Sequence, residues 1–234
     1  MNPNLGRLPR RPQPGSAAPS LDKIERSFYP VEVAKGEDTR QAILAEALAL
    51  ASEVGLSGVT VGALAERVKM SKSGLFAHFS SKENLDVAIL EEAKRRFVDL
   101  VVAPALREPR GEPRVRALID RWFVWTEQDF MPGGCVFHAA AAELDDKPGP
   151  ARDALVASQK DWLATLATAA RIAVEEGHFR SDLDLAQFAF EAYAIASGSH
   201  ALGRLMRDTA SERRARAAFE RLVTDARRSP CRSA

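Results

Sequence analysis

Cysteine is scarce in this chain: Cys135 and Cys231 are the only two, far apart and in no zinc or redox spacing. That excludes a disulfide framework and a cysteine-built metal module. No stretch resembles a secretory leader, and no apolar run reaches membrane length, so a cytoplasmic protein with no membrane partner is expected. An excess of one charge is missing as well. Thirty-three Lys and Arg stand against 32 Asp and Glu, a net charge of +1, so any contact with nucleic acid has to come from local placement of cations. No nucleophile–base constellation, glycine-rich phosphate loop or metal spacing is present, so neither catalysis, a metal nor a cofactor is expected.

What the chain does have is helix-forming material. Ala, Leu, Glu and Arg dominate, while Tyr and Ile are sparse. A hydrophobic share of 46% with 28% charged residues is enough to bury a core unaided. The expected class is all-α, with about nine helices. Residues 1–36, with Pro3, Pro9, Pro12, Pro14 and Pro19, read as a disordered Pro/Arg-rich tail. Its Arg7, Arg10 and Arg11 are either an untethered tail or a basic arm for DNA.

Helical spacing begins near Thr39 with Ile43, Leu44, Ala47, Leu48 and Ala51, and Gly55 is a natural stop. A short helix over Val61–Lys69 follows, with Thr60 as N-cap. Met70 and Ser71 turn tightly into a third helix, Lys72–Phe79. Ser80 and Glu83 have capping-box spacing for a fourth helix towards Val101, before Pro104, Pro109, Gly111 and Pro113 interrupt the chain. Five more helices are expected near 114–129, 135–144, 151–176, 185–206 and 211–227. The domains are expected at 37–84 (a three-helix unit) and 85–228 (the remaining helices).

The informative block runs from Val59 to Leu85, VTVGALAERVKMSKSGLFAHFSSKENL. Leu64, Ala65 and Val68 can lock against Leu75 and Phe79, with Ala65 small where the helices cross. The opposite side of the third helix then presents Lys72, Ser73, Ala77 and His78. A helix with small and polar groups on its free face fits the major groove, and its N-terminal amides favour phosphate. In isolation His78 reads equally as a surface or cap residue, and Lys82 as a solvated charge.

This block resembles the DNA-binding domain of the tetracycline-repressor (TetR) family of bacterial regulators. The likeness spans Thr39 to about Ala93, and the run S-K-S-G-L-F-x-H-F-x-S-K-E-x-L is long and specific. The segment GGCVFHAAAAELDDKPGPARD is similar to one subgroup of that family. The resemblance implies that Thr60 touches backbone phosphate and that Lys72 and Ser73, followed by Gly74, face the bases. It puts Phe76, Ala77 and His78 at further contact positions and Lys82 on phosphate. Phe76 stands where the family usually has Tyr, so its contact is van der Waals only.

One short recognition helix reads few base pairs, so a homodimer on a near-palindromic operator is expected. The candidate interface is the last two helices, through Phe188, Ala192, Ala196, Ser199, Ala215, Phe219 and Leu222. The middle helices concentrate Trp122, Phe123, Trp125, Phe137, His138 and Trp162, which read as ordinary core or, following the resemblance, as the pocket of a small apolar or amphipathic effector. Cys135, Glu143 and Gln159 are further polar candidates. The expected function is a repressor released from its operator by that effector. The alternative is a regulator without a small ligand, controlled by a protein partner or redox state. A cavity of a few hundred cubic ångströms would favour the first.

Overall fold

A computed structural model describes residues 31–227, with side chains from 36 onward. The chain divides into a unit 1–39, of which residues 31–39 form the opening turns of the first helix, and a second unit from Arg40 that carries everything else described. Arg7, Arg10, Arg11 and Cys231 lie outside the described residues. Among the described residues there are nine helices, counting the extensions of the fourth with it, and no strand.

Helix α1 (Val31–Gly58) begins eight residues before the Thr39 start read from the apolar pattern. Ile43, Leu44, Ala47, Leu48 and Ala51 are buried on one face, as their spacing requires. At Gly55 the backbone leaves the helix with φ 75° and ψ 169°, the expected stop. α2 (Val61–Arg67) is capped by Thr60, whose hydroxyl accepts from Ala63 N at 3.1 Å. α3 (Lys72–Phe79) is capped by Ser71, which accepts from Gly74 N at 3.1 Å.

The fourth helix starts differently from expectation. Ser80 sits at φ 64° and closes α3, its amide donating to Phe76 O. The cap of α4 (Lys82–Phe97) is Ser81, and its hydroxyl accepts from Asn84 N at 3.0 Å. The capping box read at Ser80 and Glu83 is therefore displaced by one residue, because Ser80 is used to reverse the chain. The expected division at 84/85 falls inside α4. This helix also outruns its expected end near Val101, passing through a π-helical turn (Val98–Val102) into a last α turn (Ala103–Ala105). Pro104 has no amide to donate and crowds the preceding turn; widening the helix, with Ala103 N donating to Val98 O, accommodates it.

The remaining helices are α5 (Glu112–Trp125), α6 (Val136–Leu144), α7 (Pro150–Glu175), α8 (Leu185–Met206) and α9 (Ser211–Arg227). α5 ends short of residue 129 because the amide and hydroxyl of Thr126 both fold back onto Phe123 O. α7 packs against α4, α5, α6 and α8, and α8 packs against α9. The α5–α6 loop is tied to α1: Gly133 N donates to Ser52 Oγ at 3.0 Å. A Cβ at Gly133 would fall 1.6 Å from Ser52 O, so no other residue fits there. A second tie joins α6 to the α1–α2 turn, with Ser57 N donating to Glu143 Oε2 at 2.8 Å.

Two carboxylates are buried inside arginine clusters. Glu92 accepts from Arg95 and Arg96 (2.6–2.9 Å), and Glu112 from Arg116 and Arg227. Burial pushes both upward, but the arginine hydrogen bonds outweigh it and hold both below the usual carboxylate range. Their stabilisation is therefore complete above about pH 4.5 and is lost as pH falls through the depressed folded-state values. Glu92→Gln is expected to cost about 2 kcal/mol at pH 7. Thermal melts from pH 7 to pH 3 should then show the variant losing less stability on acidification than the parent protein. Parallel curves would refute this assignment.

Candidate nucleic-acid interface and effector cavity

α2 and α3 form a helix-turn-helix. Leu64 and Ala65 from α2 and Leu75 and Phe79 from α3 are buried in the core. The turn closes through Met70 N, which donates to Ala65 O at 2.9 Å, and through Lys69 at φ 55°. The burial leaves a definite outer face on α3, whose eight residues expose Lys72, Ser73, Phe76 and Ala77. Phe76 is 50% exposed, a large apolar ring offered to solvent on the face read as the groove-entering one. Gly74 is half-buried beneath its cap. His78 is half-buried, its ring tilted against Phe79 at 6.3 Å.

The N-termini of α2 and α3 lie side by side. The position of a Cβ at Gly62 is 3.5 Å from Lys72 Cε and 3.9 Å from Thr60 Oγ1, so the lysine stem crosses the first turn of α2 next to the capping threonine. Thr60, Ser71, Lys72 and Ser73, together with the orphan amides of two helix starts, make one donor-rich surface. Lys82 is placed differently from the other cations. Its ammonium donates to Leu56 O at 2.8 Å and pairs with Asp86, tying the first turn of α4 to the end of α1. One of its three N–H bonds is left for any phosphate.

Beyond this unit a cavity of about 160 Å³ opens between α4, α5, α7 and α8. Trp122, Phe137, His138 and Trp162 line it, as do Cys135 and Gln159. Two expected pocket residues stand elsewhere. Trp125 lies beneath, in the core, its indole N–H donating to Cys135 Sγ at 3.3 Å and its ring stacked on Phe137. Phe123 faces the other way, under the Arg216 guanidinium at 4.6 Å. Glu143 is likewise committed to Ser57. The volume is below the few hundred cubic ångströms anticipated because four aromatic rings lean inward; Phe97 meets Trp162 edge-on at 5.0 Å and Phe137 at 6.2 Å. Burial pushes the Cys135 thiol up and both histidines down, His138 within the cavity wall and its neighbour His200 to about 4. The two rings lie 4.9 Å apart, both neutral at pH 7.

Comparison with known proteins matches both parts of this arrangement in order. A family profile described as bacterial regulatory proteins, tetR family, matches residues 43–89, and one described as tetracyclin repressor-like, C-terminal domain, matches 111–219. The chain belongs to the TetR family. Its family is described as one of bacterial regulatory proteins, and the curated relatives it matches are named transcriptional repressors. The HTH-type transcriptional repressor AcnR of Corynebacterium diphtheriae is 41% identical over 69 residues, 30% of this chain and 36% of that protein. AcnR of Corynebacterium glutamicum is 36% identical over 74 residues, 32% and 39% of the two chains. The matches thus span little more than a third of these curated relatives. A TetR transcriptional regulator from Chloroflexus aurantiacus shares the fold with a TM-score of 0.73 at 24% identity, over 82% of this chain and 95% of that one. So does AibR, solved in complex with isovaleryl coenzyme A and operator DNA: TM-score 0.64, 21% identity, 79% and 98% coverage.

Within this TetR-family chain the residues expected at the dimer interface mostly face inward. Phe188, Ala192, Ala196, Ser199, Ala215 and Phe219 are buried inside the single chain, and Leu222 is packed against the same core. They pack α8 and α9 into the core of the single chain. The outer face of α8 carries Phe190, Ala194, Ala201, Leu202, Leu205 and Met206, all exposed. Cavity residues missed in the sequence include Phe97, Val98 and Val102 of α4 and Tyr193 of α8. Lys94, Val98 and Val102 recur every four residues, a stripe the α4 sequence does display. Among the described residues no helix is long and apolar enough to cross a membrane, and no group of three His, Cys, Asp or Glu is placed to hold a metal.

Proposed function

We propose that this regulator is a cytoplasmic homodimeric repressor that leaves its operator when a small apolar or amphipathic molecule fills the α4–α5–α7–α8 cavity. The observation that carries the reading is the course of α4. Its first turn follows α3 directly across Ser80 and Ser81 and is fastened to the end of α1 through Lys82 and Leu56 O, and its far end, the π-helical turn, supplies Val98 and Val102 to the cavity wall. A ligand pressing on that wall acts on the element that positions α3. The effector need only prefer one arrangement of the helices, and the shift in DNA affinity is bounded by that preference. AibR, of the same fold, has been solved with a small molecule and operator DNA together, which supports one chain serving both. Control through a redox thiol has less support, since Cys135 is buried and its thiol is pushed up.

In this reading Thr60, Lys72, Ser73, Gly74, Phe76, Ala77 and His78 form the DNA face, with Lys72 donating to guanine acceptors and Lys82 adding one phosphate contact. The test is fluorescence anisotropy with the DNA upstream of the protein's own gene. Binding should prefer that DNA over unrelated duplex and weaken as salt rises. Lys72→Ala should weaken it roughly 10- to 100-fold while leaving the melting temperature within a degree or two. Equal affinity for unrelated DNA, or an unchanged Lys72→Ala variant, would sink the proposal.

A further inference from the structure

Three buried side-chain polar atoms among the described residues have no hydrogen-bond partner: Gln159 Oε1, Trp162 Nε1 and Ser197 Oγ. Two of the three belong to residues one helical turn apart on α7, and both residues line the cavity. A buried polar group left unmade costs about 1–3 kcal/mol, so two such groups in one cavity wall are an unfinished binding arrangement. Of the other polar groups around them, three are engaged. Ser158 Oγ donates to Ala154 O at 3.0 Å and Thr165 Oγ1 to Asp161 O at 2.7 Å, while Cys135 Sγ accepts from Trp125. Lys94 and Asp161 pair with each other at 2.6 Å. The wall therefore holds no uncompensated charge for an ionic ligand, and burial keeps His138 uncharged.

The chemistry of the two orphans is complementary. An indole N–H only donates and an amide oxygen only accepts. One hydroxyl satisfies both. The size of the space is also restrictive: a cavity of about 160 Å³ is close to one known to take a single benzene ring. Phe97, Trp122, Phe137 and Trp162 supply the ring edges and faces that favour an aromatic guest.

We propose that the cavity takes a neutral, single-ring aromatic molecule bearing a hydroxyl that accepts from Trp162 Nε1 and donates to Gln159 Oε1. This rests on reading the cavity as the effector site. It narrows the effector from any small apolar molecule to the phenol and benzyl alcohol class.

Calorimetric titration of the full-length, DNA-free protein with phenol, toluene and benzoate tests it. Phenol should bind at least tenfold more tightly than either of the others, although toluene is the more hydrophobic. Trp162→Phe and Gln159→Leu should each weaken phenol about tenfold more than toluene, with circular dichroism confirming the fold; if the tryptophan variant does not fold, the glutamine variant decides. Toluene or benzoate binding as well as phenol, both substitutions weakening phenol and toluene alike, or no binding of any probe overturns the proposal. Operator anisotropy separates it from the effector reading. Phenol bound with the expected variant pattern but without DNA release sinks the effector reading alone. DNA release by benzoate or toluene and not by phenol sinks the ligand class alone.

Discussion

The double substitution Phe190→Glu with Leu205→Glu is expected to convert the protein to a monomer and weaken operator binding about 10²–10⁴-fold. The argument starts from which side of α8 is already occupied. Phe188, Ala192, Ala196 and Ser199 are used within the chain, so substitutions there would unfold it. Phe190 and Leu205 are 60% and 86% exposed, on a face that also carries Ala194, Ala201, Leu202 and Met206. Small residues at 194, 198 and 201 let a second helix approach closely, and the flanking large apolar groups supply the area buried. Four carboxylates brought together across a two-fold axis would repel without a partner, while the monomer fold loses nothing because both side chains point outward. A monomer reads one half-site and forfeits the avidity of two. Light scattering after gel filtration should give the monomer mass, and Val124→Glu, on another exposed apolar residue, should not change it. A double variant that stays dimeric would place the interface elsewhere.

Trp125→Ala is expected to cost about 3–5 kcal/mol of folding stability. Trp125 is among the largest fully buried side chains, and three rings depend on it: Phe97 edge-on at 5.3 Å, Phe130 at 5.7 Å and Phe137 stacked at 6.2 Å. Its removal leaves a void too large for these neighbours to fill, and it strips Cys135 of its only side-chain donor partner. Because Phe97, Cys135 and Phe137 also line the cavity, the floor should sag and ligand binding should weaken in parallel. Trp125→Phe keeps most of the volume and should cost less than half as much. Urea unfolding of the three proteins measures both values; a loss below about 1 kcal/mol for the alanine variant would mean the site is not a packed core.

Much of this architecture was legible in the sequence because local chemistry decided it. Thr60 caps α2, Gly55 stops the first helix, and Leu64, Ala65, Leu75 and Phe79 bury one side of each reading helix, all as their spacing dictates. The outward position of Lys72 and Ser73 follows from the same periodicity. What was not legible depended on contacts between distant segments. A single helix with apolar residues on two faces, as α8 has at Phe188 and Phe190, does not reveal which face meets its own chain. Trp125 and Trp162 look alike in sequence; only the packing of α5 against α7 sends one beneath the cavity and the other into its wall. The cap at Ser81 was missed by one residue because two serines compete and the choice depends on how α3 reverses.

The seat of Gly133 on the backbone of Ser52 has a mechanical corollary. With no side chain on the glycine and its amide donating to the Ser52 hydroxyl, the loop sits directly on α1. Cys135, two residues along the same loop, forms part of the cavity lining. A larger residue at 133 would have to push the loop off α1, and the cavity wall at Cys135 with it, so Gly133→Ala is expected to disturb both.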